Sequence, residues 1–248
     1  MLRFFSKIRY QLATENRAAK YVRYAIGEIL LVIIGILIAL QINNQNETKK
    51  DKAYETKMLS EINKALDYDL KHFERMIGRL DRLDSVSTSF INDIHNSKTE
   101  FNDTLYDKSN SRWYGLRNNI LYQYNPGPFE ALKSSGLDKL SNDSLRNSLI
   151  EFYDFHFPYN KELVAFVVRQ YDEDMDVLES FLSPPFTEEI NGKVEVVKKF
   201  PKDLYRNIDF LELLRNIRAR AQITKNYLNT HSKRMKEVST QLKNELNN

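Results

Sequence analysis

Residues 24–42, YAIGEILLVIIGILIALQI, form the only stretch of the 248-residue chain that is apolar on every side of a helix. Everything before it is a short basic tail, and everything after it is polar and mostly helical in pattern. The uninterrupted run, 29–40, is only twelve residues, a length also found in core helices and signal-peptide cores. Extended to 21–42 it becomes 22 residues, or about 33 Å of helix at ~1.5 Å per residue, enough to cross a ~30 Å hydrocarbon layer. The interruptions sit at the ends, where Arg23 reaches the headgroups and Tyr21 and Tyr24 suit the interface. The small-residue cleavage pattern of a removed signal peptide is not met, because Ala39-Leu40-Gln41 has the wrong last residue. An uncleaved signal anchor is expected, crossing a lipid bilayer once.

Three residues in this stretch are candidates for helix packing or a polar intramembrane site. Glu28 lies about one turn inside the basic end. An ionisable group in a span is a functional candidate; the plainer reading pairs it with Arg23 or a lipid headgroup. Gly35 and Ala39 form a small-xxx-small pair, with Gly27 two turns earlier, which permits close approach of a second helix.

The opening MLRFFSKIR, the span and the following Asn43-Asn44 resemble the start of a family of uncharacterised single-pass membrane proteins of Gram-negative bacteria. The block FEALKSSGLDKLSNDSLRNSLIEFY, residues 129–153, resembles that family's second recurring segment. Gln45 stands where the family pattern has tryptophan, which implies one interfacial anchor fewer. The resemblance implies an inner-membrane protein and brings no activity with it.

Charge bounds the partners and the orientation. The net charge is +3, of which residues 1–43 contribute +4 and the remainder −1. A near-neutral domain lacks the dense basic face that nucleic acid requires. Arg3, Lys7, Arg9, Arg17, Lys20 and Arg23 precede the span; Lys49, Lys50, Lys52 and Lys57 follow it. That bias predicts a cytoplasmic N-terminus and a periplasmic C-terminal domain. The chain has no cysteine, which excludes disulfides, thiol catalysis and thiolate-bound metals.

The expected fold is all-α: one N-terminal transmembrane helix, then an elongated helical bundle or hairpin domain with one small β-hairpin inserted. The expected divisions are a basic amphipathic tail at 1–23, the span at 24–43 and a helical extracytoplasmic domain at 44–248. In the tail, Leu2, Phe5, Ile8 and Leu12 fall at helical spacing, with a break near Thr14-Glu15-Asn16. Beyond the span, Leu59, Ile62, Leu66, Leu70, Phe73, Ile77, Leu80 and Leu83 define a long amphipathic helix to about Ile94. Residues 96–110, rich in Asn, Asp, Ser and Thr, read as a loop.

Asn125-Pro126-Gly127-Pro128 forces a turn, Pro128 starts a helix and Gly136 ends it. Ser141 or Asn142 caps the next helix, whose inward face is Leu145, Leu149, Phe152 and His156; Pro158 is expected to end or kink it. A further helix runs over 160–182. Asn191-Gly192 between β-compatible flanks predicts a hairpin within 186–200. The last helix, 204–246, carries Leu214, Ala221, Leu228, Met235 and Leu242 at a seven-residue spacing. Thr224, His231, Val238 and Glu245 between them are mostly not apolar, which weakens a free-standing coiled coil. Antiparallel packing on the 59–83 face is the simpler use.

Chemistry is sparse. Asp172, Glu173, Asp174 and Asp176 echo the start of a calcium loop, but Val177 replaces its glycine and Ser183 its final glutamate, so a solvated acidic face is expected. His72, His95, His156 and His231 show no ligand spacing. Ser134-Ser135-Gly136 reads as helix capping rather than a nucleophile elbow. Phe152, Tyr153, Phe155, Phe157 and Tyr159 are core or groove, and within that cluster Phe155, His156 and Tyr159 are the candidate partner or ligand surface. No catalytic residue, cofactor or metal is expected. Function reads as a membrane-anchored, non-enzymatic helical module that binds a partner or ligand in the periplasm, for sensing, scaffolding or envelope assembly, the partner being an envelope protein or a second copy of the chain. The competing expectation is a membrane-anchored periplasmic hydrolase without a recognisable motif.

Overall fold

The structure is a computed structural model that describes residue 10 and residues 18–100, 103–117 and 119–247. The amphipathic tail helix and the break at Thr14 to Asn16 otherwise lie outside the described residues. The chain divides into two units, 1–56 and 57–248. Helix α1 (Ala18–Glu100) crosses that boundary.

In the first unit, α1 holds the one window among the described residues long and apolar enough to cross a membrane, and none of it is buried. A helix satisfies its own backbone, so side chains alone decide its solvent, and these favour hydrocarbon. After Ile42 the surface turns polar: the Asn43 amide donates to Glu47, and Thr48 and Thr56 donate to the carbonyls one turn back.

The second unit is helical with one hairpin, as expected. Its elements after α1 are α2 (Asp103–Asn110), α3 (Gly127–Ser135), α4 (Asp143–Ile150), α5 (Phe157–Ser180), β1 (Phe186–Ile190), β2 (Lys193–Val197) and α6 (Ile208–Leu246). The core is a pair of seams. On α1 the central buried row is Leu59, Ile62, Leu66, Asp69, Phe73, Met76, Leu80, Leu83, Ser87, Phe90 and Ile94; on α6 it is Phe210, Leu214, Ile217, Ala221, Thr224, Leu228, His231, Met235, Val238 and Leu242, and Met58, Ala65, Leu213, Ser232 and Ser239 are buried beside these rows. Both rows step by three and four residues in strict alternation, the pattern of knobs-into-holes packing.

The buried face differs from the expected one at two places. Leu70 and Ile77 are only half-buried, and Asp69 and Met76 take their places. Thr224 and His231 belong to the seam despite their polarity, and Val238 belongs with them, while Glu245 is only half-buried. Polar members are tolerated because they find local partners: Ser87 and Thr224 each donate to the carbonyl four residues back.

The helices run antiparallel, as expected. Ser239 donates to Asn63, Lys243 pairs with Asp67, Lys225 with Asp81, and Arg218 and Gln222 with Asp84. From the turn at Asn63 and Asp67 to the turn at Asp81 and Asp84 on α1, the partners on α6 fall from 239–243 to 218–225. Such exposed pairs add little stability singly but fix register. α5 also runs antiparallel to α6, through Asp174 with Arg220, Asn160 with His231, and His156 with Arg234.

Residues 119–125 form no helix or paired strand and lie between α1 and α5. Ile120 and Tyr122 are buried while Leu121 and Gln123 are exposed, the two-residue alternation of a strand. Among the described residues no strand pairs with this segment, so side chains must satisfy its backbone. His72 bonds the Leu121 carbonyl, Arg79 donates to that of Asn119, and Asp69 accepts the Asn125 N–H at 3.0 Å. Just upstream, Tyr171 donates to the Leu116 carbonyl.

The loop expected over 96–110 is largely helical. α1 continues to Glu100, and α2 follows with Asp103 in its first turn. Tertiary ties override the local composition: the Asn110 side chain accepts the Phe200 N–H at 2.7 Å, and Tyr106 donates to the Phe200 carbonyl at 2.7 Å. Phe90, Trp113, Phe200 and Phe210 close that end of the core.

Asn142 caps α4 by accepting the Leu145 N–H, and Gly136 ends α3 at φ 107°. Pro158 does not end the helix. A π-helical segment, Glu151–His156, joins α4 to α5, with the Phe157 N–H bonded to the Phe152 carbonyl five residues back. The wider turn accommodates the proline ring, which then occupies the first turn of α5. The hairpin turns at Asn191 and Gly192, both at positive φ, as a type I′ turn requires. α6 begins later than expected: a 3-10 turn, Lys202–Arg206, precedes it and Asn207 is its cap.

Candidate interaction surface

The extra residue of the π segment sorts the aromatic cluster. Phe152, Tyr153 and Phe157 point inward and are buried; Phe155 is 60% exposed and Tyr159 is 56% exposed. The two outward rings stack with centroids 5.9 Å apart and planes 7° from parallel. Beneath them His156 is held between Glu151 at 3.2 Å and Arg234 at 2.7 Å. Asp154, on the same segment, pairs with Lys133 of α3 at 2.8 Å. The three expected surface residues are therefore adjacent, with charged side chains around two bare aromatic faces. An exposed ring pair offers flat apolar area at small conformational cost, the usual material of protein contacts.

The inward half centres on His231, a polar break in the apolar series of α6. Its ring stacks on Phe152 at 5.3 Å and meets Phe157 edge-on at 4.8 Å. The Asn160 amide donates to Nδ1 at 3.1 Å and to the His156 carbonyl at 2.7 Å. Nδ1 is thus an acceptor, which leaves the proton on Nε2, aimed at the Tyr122 hydroxyl 3.2 Å away. Tyr122 passes its own proton toward the Phe157 carbonyl at 3.4 Å. Burial, then the charges of His156 and Arg234, push the His231 pKa down to about 3, so the ring is neutral. Its signal in the sequence was phase rather than polarity, since it falls seven residues after Thr224 and seven before Val238.

Asp69 faces the same cluster from α1. Burial raises its pKa to about 6, against the lowering effects of the Asn125 N–H and of His72. These groups are packed into the body and hold it together.

The remaining candidates stay apart. Asp174 is buried and ion-paired with Arg220, so the acidic run is not wholly a solvated face, although Asp172, Glu173 and Asp176 are exposed. Asp172 accepts a bond from Asn119 at 2.9 Å. Among the described residues no group of three or more His, Asp or Glu side chains is placed to hold a metal. Ser134 and Ser135 bond the carbonyls of Glu130 and Leu132, a helix-end role. In the first unit, Gly35 and Ala39 are exposed, Glu28 is half-buried, and the space beside Gly27 and Gly35 is open.

A family model described as a family of unknown function (DUF6090) matches residues 28–219, more than half of the chain, and the chain belongs to that family. The match takes in both the apolar helix and the aromatic cluster. Comparison with the curated proteins gives no match, and neither does comparison with the solved structures.

Proposed function

We propose that this member of the family is a membrane-anchored, non-enzymatic helical module that binds an envelope protein. In this reading residues 24–43 cross the inner membrane of a Gram-negative bacterium once. The N-terminus is cytoplasmic, and the helical unit stands in the periplasm. The apolar window, none of it buried, supports the anchor, and the excess of Lys and Arg before it supports the orientation.

The observation that carries the binding role is the Phe155–Tyr159 stack. Its neighbours Phe152, Tyr153 and Phe157 are taken into the core, while these two rings remain in solvent. Photo-crosslinking amino acids at Phe155 and Tyr159, in cells expressing the full chain, test it against the same probe at exposed Tyr68 on α1. One envelope protein recovered from both stack positions and not from Tyr68 is the expected result. Recovery of no protein, together with turnover of an envelope substrate by the purified chain, overturns the reading in favour of a hydrolase.

A further inference from the structure

A second apolar surface runs along the outside of the α5–α6 seam. The side chains that cross the seam are Asn160 and Asp174 from α5 and Arg220, His231 and Arg234 from α6. The register they set brings Phe166 level with the turn between Ile223 and Tyr227 at ~1.5 Å rise per residue. On each helix the bundle core lies to one side of those crossing residues, marked by Val164 and Tyr171 on α5 and by Ile217 and Leu228 on α6. Helical phase puts Tyr159, Phe166 and Val177, and Ile223, on the other side, while Tyr227 lies in line with Arg220 and Arg234, seven residues from each. All five are between 40% and 56% exposed. Such a row resembles one half of a helix-bundle interface.

We infer that this groove is the contact between two copies of the chain, related by a twofold axis parallel to α5 and α6. Each α5 then packs antiparallel to the second copy's α6, as it already does to its own, and a four-helix layer closes over the exposed row. An axis along the helices keeps every residue at its own height. Asp176 therefore faces Arg215 of the second copy, and Glu162 lies within about one turn of its Lys233. All four side chains are exposed and sit on the outer flanks of the groove, the acids on α5 and the bases on α6. Arg169, also on the α5 flank, falls level with Gln222, so no like charges meet there. This cross-matching selects a second copy over an unrelated helix. The contact covers Tyr159, so it competes with envelope-protein binding at the Phe155–Tyr159 stack and does not rest on that reading.

The cysteine-free chain permits a direct test in membranes. Two full-length chains with different tags are co-expressed, one carrying Asp176→Cys and the other Arg215→Cys, and treated with a short bis-maleimide. The expected result is a mixed-tag dimer several-fold above either same-site combination and above Tyr68→Cys paired with Arg215→Cys. Equal yields, or no dimer, overturn the proposal. A second pair, Glu162→Cys with Lys233→Cys, then reads the charges: Asp176→Arg in both chains lowers its yield several-fold, and adding Arg215→Asp restores it. That restoration separates lost pairing from lost folding, and a yield indifferent to both reversals refutes the pairing.

Discussion

Tyr153 buries its hydroxyl with no hydrogen-bond partner, in a site that stacks it on Phe129 at 4.6 Å. Burial drives its pKa far above the ordinary tyrosine range. A buried unpaired hydroxyl costs its desolvation and returns nothing. Tyr153→Phe is therefore expected to leave thermal stability unchanged or raise it by up to about 1 kcal/mol. A loss larger than that would mean the hydroxyl is bonded after all. The residue scale is also where the sequence was hardest to read. Apolar counting chose Leu70 and Ile77, each one place beyond the residues that face the core. Nothing in a hydrophobicity pattern distinguishes a solvated Asp from Asp69, whose carboxylate holds a backbone N–H from a segment 56 residues away in sequence.

At the scale of elements, the π segment decides which aromatic rings are available. Its extra residue rotates everything after it by about 100° relative to a regular helix. Removing one residue from this segment, with Pro158→Ala to permit a regular helix, is expected to turn the aromatic rows of α4 and α5 against each other. The measurement is thermal unfolding, with a melting temperature lowered by roughly 5 °C or more, since one or both of Phe152 and Phe157 must leave the core. An unchanged melting temperature would show that the insertion is incidental. Helices, hairpin and caps were legible because their signals are local: Asn-Gly for the turn, Asn142 and Gly136 for helix ends. α2 was not, because what holds it is Phe200, far along the chain. The aromatic cluster was legible as a cluster, but its division into core and surface depends on a backbone irregularity that no local composition announces.

For the molecule as a whole, two buried titratable groups act in opposite senses on acid stability. His231 has a folded pKa near 3, below the ~6.5 of an unfolded histidine. Its contribution is present above pH 6.5 and is lost as pH falls toward 3. Asp69 has a folded pKa near 6, raised from 3.8. Its contribution is full below pH 3.8 and is lost as pH rises through 6. Between pH 6 and 4 the two offset each other. Asp69→Asn keeps an oxygen for the Asn125 N–H and removes the buried charge. It is expected to stabilise the chain by about 1–3 kcal/mol at pH 7.5 and by little at pH 4. Urea unfolding of the full chain in mild detergent, followed through buried Trp113, the single tryptophan, measures both. Equal effects at the two pH values would show that Asp69 does not titrate as described.

The antiparallel pairing of α1 with α6 also bears on how such a chain is made. The first helix of the unit finds its facing row only in the last, with polar ties that join residues 134 to 176 positions apart. During translation α1 leaves the ribosome long before its complement exists. At ~5–20 residues per second, tens of seconds or less separate the two, a long interval for a bare apolar row. Ribosome profiling and chaperone capture should therefore find the nascent chain held by a folding factor until residues near Leu242 emerge, after which the body closes in one late step.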